Sequence, residues 1–228
     1  MSHYLLHLEK AREYYDEGNY EGARAAAEHA LACAQLNEGN EARVLFAMSM
    51  RRLEFHDEAF RLLYEIVCTT PTPEACGEYA LMCAERGQCD ANCRDMAINV
   101  TQMMPDLPSP YIALFWCDVT DGLYIQALQN LKRGLFRGGE FPENRAFDMV
   151  RQWCQEACDL GNPRFAYDLA NEIGDYYATF DFIVLQARLA EICQEYRHAV
   201  AHYKRALHYL RPGNLRTEIL EAIAKIAM

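Results

Sequence analysis

One short pattern recurs six times along the 228 residues and constrains the fold more than any other feature. Gly18-Asn19-Tyr20-Glu21-Gly22-Ala23 and Gly122-Leu123-Tyr124-Ile125-Gln126-Ala127 each give a glycine, an aromatic residue two further on, and an alanine three beyond that. Gln194-Glu195-Tyr196-Arg197-His198-Ala199 lacks only the glycine. Gly161-Asn162-Pro163-Arg164-Phe165-Ala166 keeps the glycine and the alanine. Glu54-Phe55-His56-Asp57-Glu58-Ala59 is a looser copy, and Gly87-Gln88-Cys89-Asp90-Ala91-Asn92 the loosest. The last residues fall at 23, 59, 92, 127, 166 and 199, with spacings of 36, 33, 35, 39 and 33. A period in this range marks an array of stacked supersecondary units. The units read as helical: 31 Ala and 24 Leu stand against 17 Val plus Ile, and strict alternation is scarce. Ser109-Pro110 and Asn162-Pro163 read as helix starts, a capping side chain before a proline at the first helical position.

The spacing and its flanking residues resemble the tetratricopeptide repeat family, whose unit is an antiparallel helix pair of about 34 residues. Small residues sit where the first helix of such a pair needs them, at Ala11, Ala47, Ala80, Cys154 and Ala187, while the fourth unit carries Phe115 there. Ala30-Leu31, Ile66-Val67, Gly134-Leu135 and Ala206-Leu207 fit the end of the second helix. The resemblance implies an all-α, right-handed superhelical solenoid of about six antiparallel helix pairs. The pairs run over about 4–37, 40–73, 73–106, 108–141, 147–180 and 180–213, one array spanning 1–228. Leu215, Ile219, Ile223 and Ile226 form an apolar stripe opposite Arg216, Glu218, Glu221 and Lys225, so 214–228 reads as a capping helix. The 39-residue step marks an insertion near Arg137-Gly138-Gly139-Glu140-Phe141-Pro142, read as a surface loop.

Several functions are disfavoured. With 33 acidic against 22 basic residues and a net charge of -11, the chain is a poor match for nucleic acid. No apolar run approaches the ~18 residues of a membrane helix. MSHYLLHLEK lacks a basic start and a long apolar centre, so no secretory signal is expected and the reading is cytoplasmic. The ten cysteines contain no C-x-x-C. Cys89 with Cys93, Cys154 with Cys158, His3 with His7 and His198 with His202 are each four apart, as on one helix face, but none has an obvious second pair for zinc. Cys33, Cys68, Cys83 and Cys154 read as small core residues and the thiols as reduced. No phosphate loop, G-x-S-x-G or H-E-x-x-H occurs, so no enzymatic activity, cofactor or metal is expected.

In proteins of the resembled family the first helices line a concave groove. Carrying that phase across places Tyr15, Met48, Leu81, Ile112 and Trp116 as an apolar strip suited to an amphipathic or extended peptide. Arg12, Arg51 and Arg52 cluster at the amino-terminal end, where they would recognise carboxylates or form internal salt bridges with Asp16 or Glu41. Arg151 and Arg188 follow in later units. Leu8, Arg12, Leu45 and Glu74 depart from the Lys and Asn clamp with which some relatives grip a carboxyl-terminal tail. The expected function is therefore a non-enzymatic adaptor or chaperone holding a protein or peptide with acidic and apolar groups. The alternative is a self-assembling scaffold that docks a second copy through exposed apolar groups.

Overall fold

The computed structural model describes residues 2–35, 39–139, 143–176, 179–210 and 213–227. Among them are thirteen α-helices and no strand. In chain order these are α1 (His3–Asp16), α2 (Tyr20–Cys33), α3 (Asn40–Arg52), α4 (His56–Thr69), α5 (Pro73–Glu85), α6 (Ala91–Met103), α7 (Ser109–Thr120), α8 (Tyr124–Phe136), α9 (Glu143–Asp159), α10 (Pro163–Tyr176), α11 (Phe180–Ile192), α12 (Tyr196–Leu207) and α13 (Asn214–Ala227). Twelve helices pair as expected and the thirteenth follows. Where the sequence reading has one array, the structure has two compact units, 1–139 and 140–228. The first holds four pairs; the second holds two pairs and α13. The division falls in the 137–142 stretch, of which 140–142 lie outside the described residues.

The six turns inside the pairs share one geometry. The second residue after the first helix takes a left-handed conformation at Gly18, Glu54, Gly87, Gly122, Gly161 and Gln194, with φ between 61° and 79°. The next amide then donates back five residues, as in Asn19 to Tyr14, Phe55 to Met50, Gln88 to Cys83, Leu123 to Asp118, Asn162 to Ala157 and Glu195 to Ala190, all at 2.7–2.9 Å. This paired C-cap satisfies carbonyls a helix end would leave open. Glu54 and Gln194 thus occupy the conformation that glycine takes at the other four turns.

The small residues do what the repeat requires. Ala11, Ala47, Ala80, Phe115 and Ala187 are fully buried, and Cys154 nearly so. Opposite them Ala23, Ala59, Ala127, Ala166 and Ala199 are also fully buried, so the helix backbones approach closely. The third pair corrects the sequence register. Asn92 is exposed, and Cys93 is the buried residue of the first turn of α6. Five residues separate α5 from α6 where the other pairs have three, and α6 starts one residue nearer its buried position, so the positions become 59, 93 and 127, each step 34. For the same reason Cys89 lies in the turn before α6 and does not share a helix face with Cys93.

Further readings change at the helix ends. Pro108 caps α7, and Ser109 is its first residue, with a buried hydroxyl that finds no partner among the described residues. Sequence reasoning missed the caps at Thr72, Asp90 and Thr179, whose side chains accept from Ala75, Cys93 and Phe182 amides. Cys33 and Cys68 are exposed, not core. In α13, Ile219 is buried and Ile223 and Ile226 pack on the cluster of Ile183, Ala187, Tyr203 and Ala206, but Leu215 is exposed. Arg216 Nη1 donates to the carbonyls of Leu207 and Leu210, which joins α13 to the end of α12.

Candidate functional site

Side-chain bonds link the first helices of the amino-terminal unit, α1 to α3 and α3 to α5. Arg12 on α1 forms an ion pair with Glu41 at the start of α3. At the other end of α3, Arg52 Nε donates to the Tyr15 hydroxyl at 3.2 Å, with its guanidinium 5.6 Å from the centre of the Tyr20 ring. Tyr15 and Tyr20 meet edge to face at 5.3 Å. The neighbouring Arg51 turns the opposite way, towards α5. It donates to Glu85 at 2.6 Å and approaches Glu78 at 3.5 Å. Side-chain exposure is 10% for Arg51, 7% for Glu78 and 18% for Glu85, so the group is largely removed from water.

Burial alone would weaken the Arg51 charge, yet the two carboxylates outweigh it and hold its pKa above the ordinary value. Burial pushes the Tyr15 phenol up, Glu78 adds to this, and Arg52 opposes it. Arg51 thus faces two glutamates, while Arg52 is held against Tyr15. Of the two roles open to the arginines, the structure realises internal pairing for Arg12 and Arg51, but with Glu41, Glu78 and Glu85 and not Asp16.

The expected apolar strip is only partly a surface. Tyr15, Met48 and Trp116 are half-buried, while Leu81 and Ile112 belong to the core. The reason is that α5 and α7 are covered on several sides, so even groove-phased positions are enclosed. Ile112 fills the space above Gly134 of α8, where a Cβ would overlap its Cδ1. Trp116 meets Phe115 at 6.0 Å, and Met48 packs on the cluster of Val44, Ala47, Leu63 and Met82. In the second unit, Arg151 is exposed, 3.3 Å from Asp148 and 5.9 Å from the Phe147 ring centre. Arg188 is exposed and, with Glu191, lies beside Tyr203, whose phenol burial raises to about 12. The structure therefore brings together Arg12, Tyr15, Arg51 and Arg52, and not the other predicted residues.

A second polar group went unrecognised in the sequence. Arg94 on α6 donates to Asp118 at 2.6 Å and Asp121 at 2.7 Å, and Asn130 on α8 donates to Asp118 at 2.8 Å. The Asp118 side chain is 3% exposed, so these bonds replace its lost hydration. No spacing rule announces it, since its members come from three helices. Among the described residues no group of three or more His, Cys, Asp or Glu is arranged to hold a metal, and no helix is long and apolar enough to cross a membrane.

Several known structures share this fold. The chain is similar to PilW, a widely conserved type IV pilus biogenesis factor, with a TM-score of 0.62 and 20% identity over 95% of this chain and 98% of that one. It is similar to PilF of Pseudomonas aeruginosa, with a TM-score of 0.55 and 17% identity over 96% of both chains. A chain of the APC/C hetero-tetramer Cut9–Hcn1 matches with a TM-score of 0.61 and 12% identity, over 96% of this chain and 42% of that one. No protein-family model and no curated protein matches the sequence. At these identities the likeness shows the fold, which is the tetratricopeptide-repeat helix-pair solenoid that the sequence resembles.

Proposed function

We propose that the chain is a protein-interaction scaffold that holds a partner segment along the first helices of its amino-terminal unit. The observation that carries this reading is the set of side-chain bonds that links α1 to α3 and α3 to α5. It fixes Tyr15, Arg52 and Glu85 in place before any partner arrives, and surfaces held in this way lose little entropy on binding. With Arg12 and Arg51 already paired to glutamates, a partner that offers apolar and hydrogen-bonding groups is favoured over one that is strongly acidic. The pilus factors and the APC/C assembly of similar fold support an assembly role, and a cytoplasmic setting is part of the proposal.

A photo-crosslinking residue placed at Asp16 or Thr120, on first helices, should capture a partner from native lysate that one at Glu28 or Asp95, on second helices, does not. Crosslinks from the second helices alone would make this the wrong surface. A second reading, self-assembly, rests on Ile125 and Phe136 of α8, which are 73% and 86% exposed. Light scattering over a concentration range decides it, and a strict monomer ends it.

A further inference from the structure

The corrected register puts a thiol at Cys93, where the other pairs carry an alanine. Cys93 Sγ lies 3.3 Å from the Ala80 carbonyl and 4.0 Å from Sγ of Cys117 on α7. Cys117 is fully enclosed. Cys93 instead borders a cavity of about 170 Å³, lined also by Tyr79, Cys83 and Met96 and by the exposed Gln88, Asp90 and Asn92. A water occupies roughly 30 Å³ in the liquid, so a small polar solute fits. A solute there meets the Cys83 and Cys93 thiols, and Cys93 has Cys117 behind it at 4.0 Å.

We propose that Cys93 and Cys117 form a two-thiol oxidation site that hydrogen peroxide converts to a disulfide joining α6 to α7. In the first step the Cys93 sulfur, having lost its proton, attacks one peroxide oxygen. The O–O bond breaks, leaving a sulfenic acid on Cys93 and a hydroxide that takes up the released proton as water. In the second step the Cys117 sulfur attacks the Cys93 sulfur as its own proton departs. The S–O bond breaks and the leaving hydroxide takes that proton as a second water. Two thiols are oxidised by two electrons and the peroxide is reduced to two waters. The sulfurs close from 4.0 Å to about 2.05 Å.

The neighbouring thiols give the site its selectivity. Cys89 sits beside Cys117, with its own Sγ 3.8 Å from the Ala84 carbonyl. Burial raises the Cys89 thiol to about 11, which keeps it protonated and slow to react at neutral pH. Contact with Cys93, followed by burial, likewise holds Cys117 in the thiol form, so its attack on the sulfenic acid depends on the 4.0 Å proximity of the two sulfurs.

The test treats the full-length chain with hydrogen peroxide under native conditions, then alkylates it in denaturant and maps its peptides. The expected product links the Cys93 and Cys117 peptides with loss of two hydrogens, about 2 Da per chain, while Cys83 and Cys89 remain alkylated. Cys117→Ala should leave a sulfenic acid on Cys93 that dimedone traps, and Cys93→Ala should form no link. The unmodified chain decides the matter even if a variant fails to fold. A folded chain whose Cys93 and Cys117 stay reduced overturns the proposal. So does a disulfide through Cys83 or Cys89, or over-oxidation of Cys93 without a link.

Discussion

Arg51 donates to Glu85 across 2.6 Å from α3 to α5, while its other terminal nitrogen approaches Glu78. Removing one member of such a group leaves charge buried without compensation, which typically costs about 3–5 kcal/mol. Arg51→Met should therefore lower unfolding free energy in urea by roughly 3 kcal/mol. The same substitution in a Glu78→Gln, Glu85→Gln background should recover most of that loss. Equal losses in both backgrounds would show that packing, not charge, holds the site.

The crossing of α7 and α8 depends on Gly134. A methyl there would gain about 1 kcal/mol of helix propensity, but it would overlap Ile112 Cδ1 in a full core. Overpacking usually costs about 1–3 kcal/mol, so Gly134→Ala should destabilise by roughly 1 kcal/mol. Ile112→Ala removes both overlapping carbons, Cδ1 and Cγ1, and in that background the glycine substitution should be neutral or favourable. A double-mutant cycle by thermal unfolding measures this coupling.

Gln194 is held at φ 61°, a conformation that costs a side chain about 1 kcal/mol. Gln194→Gly should raise stability by a few tenths up to about 1 kcal/mol, once the entropy of the unfolded glycine is subtracted. Gly161 offers the reverse case, since no atom stands within 4 Å of a Cβ there. Gly161→Ala should lose about 1 kcal/mol from backbone conformation alone. Calorimetry that finds the same sign for both substitutions would refute the assignment.

Alkaline pH should unfold the chain gradually. Burial raises the Cys154 thiol from its ordinary 9.0 to about 12, and the Cys89 thiol to about 11. The folded state therefore binds these protons more tightly than the unfolded state. Their contribution is complete below pH 9 and is lost as pH rises towards 12. Each such proton changes stability by at most about 1.4 kcal/mol per pH unit. Chemical denaturation at several pH values should show the decline, and Cys154→Ala should make it shallower.

The helix pairs were legible because their turn residues and small contact residues recur at a fixed period. The site was less legible for reasons that particular residues make clear. Glu78 stands in the otherwise apolar run of α5, and its partner lies 27 residues earlier, so no local spacing relates them. Leu81 and Ile112 carry the phase of an open helix face, yet phase cannot reveal that other helices cover it, as α8 covers Ile112 at Gly134. Asn92 took the place of Cys93 because the lengthened turn obeys no periodicity.

That lengthened turn has a wider meaning. The extra residue between Gly87 and Cys93 leaves Cys93, Ala97 and Val100 facing inward just as Ala59, Leu63 and Ile66 do one repeat earlier. Had it entered a helix, every later side chain on that helix would have rotated by about 100°. The turns therefore act as expansion joints. They absorb changes in chain length that the helices cannot tolerate, and in this protein insertions are permitted or forbidden by where they fall more than by how long they are.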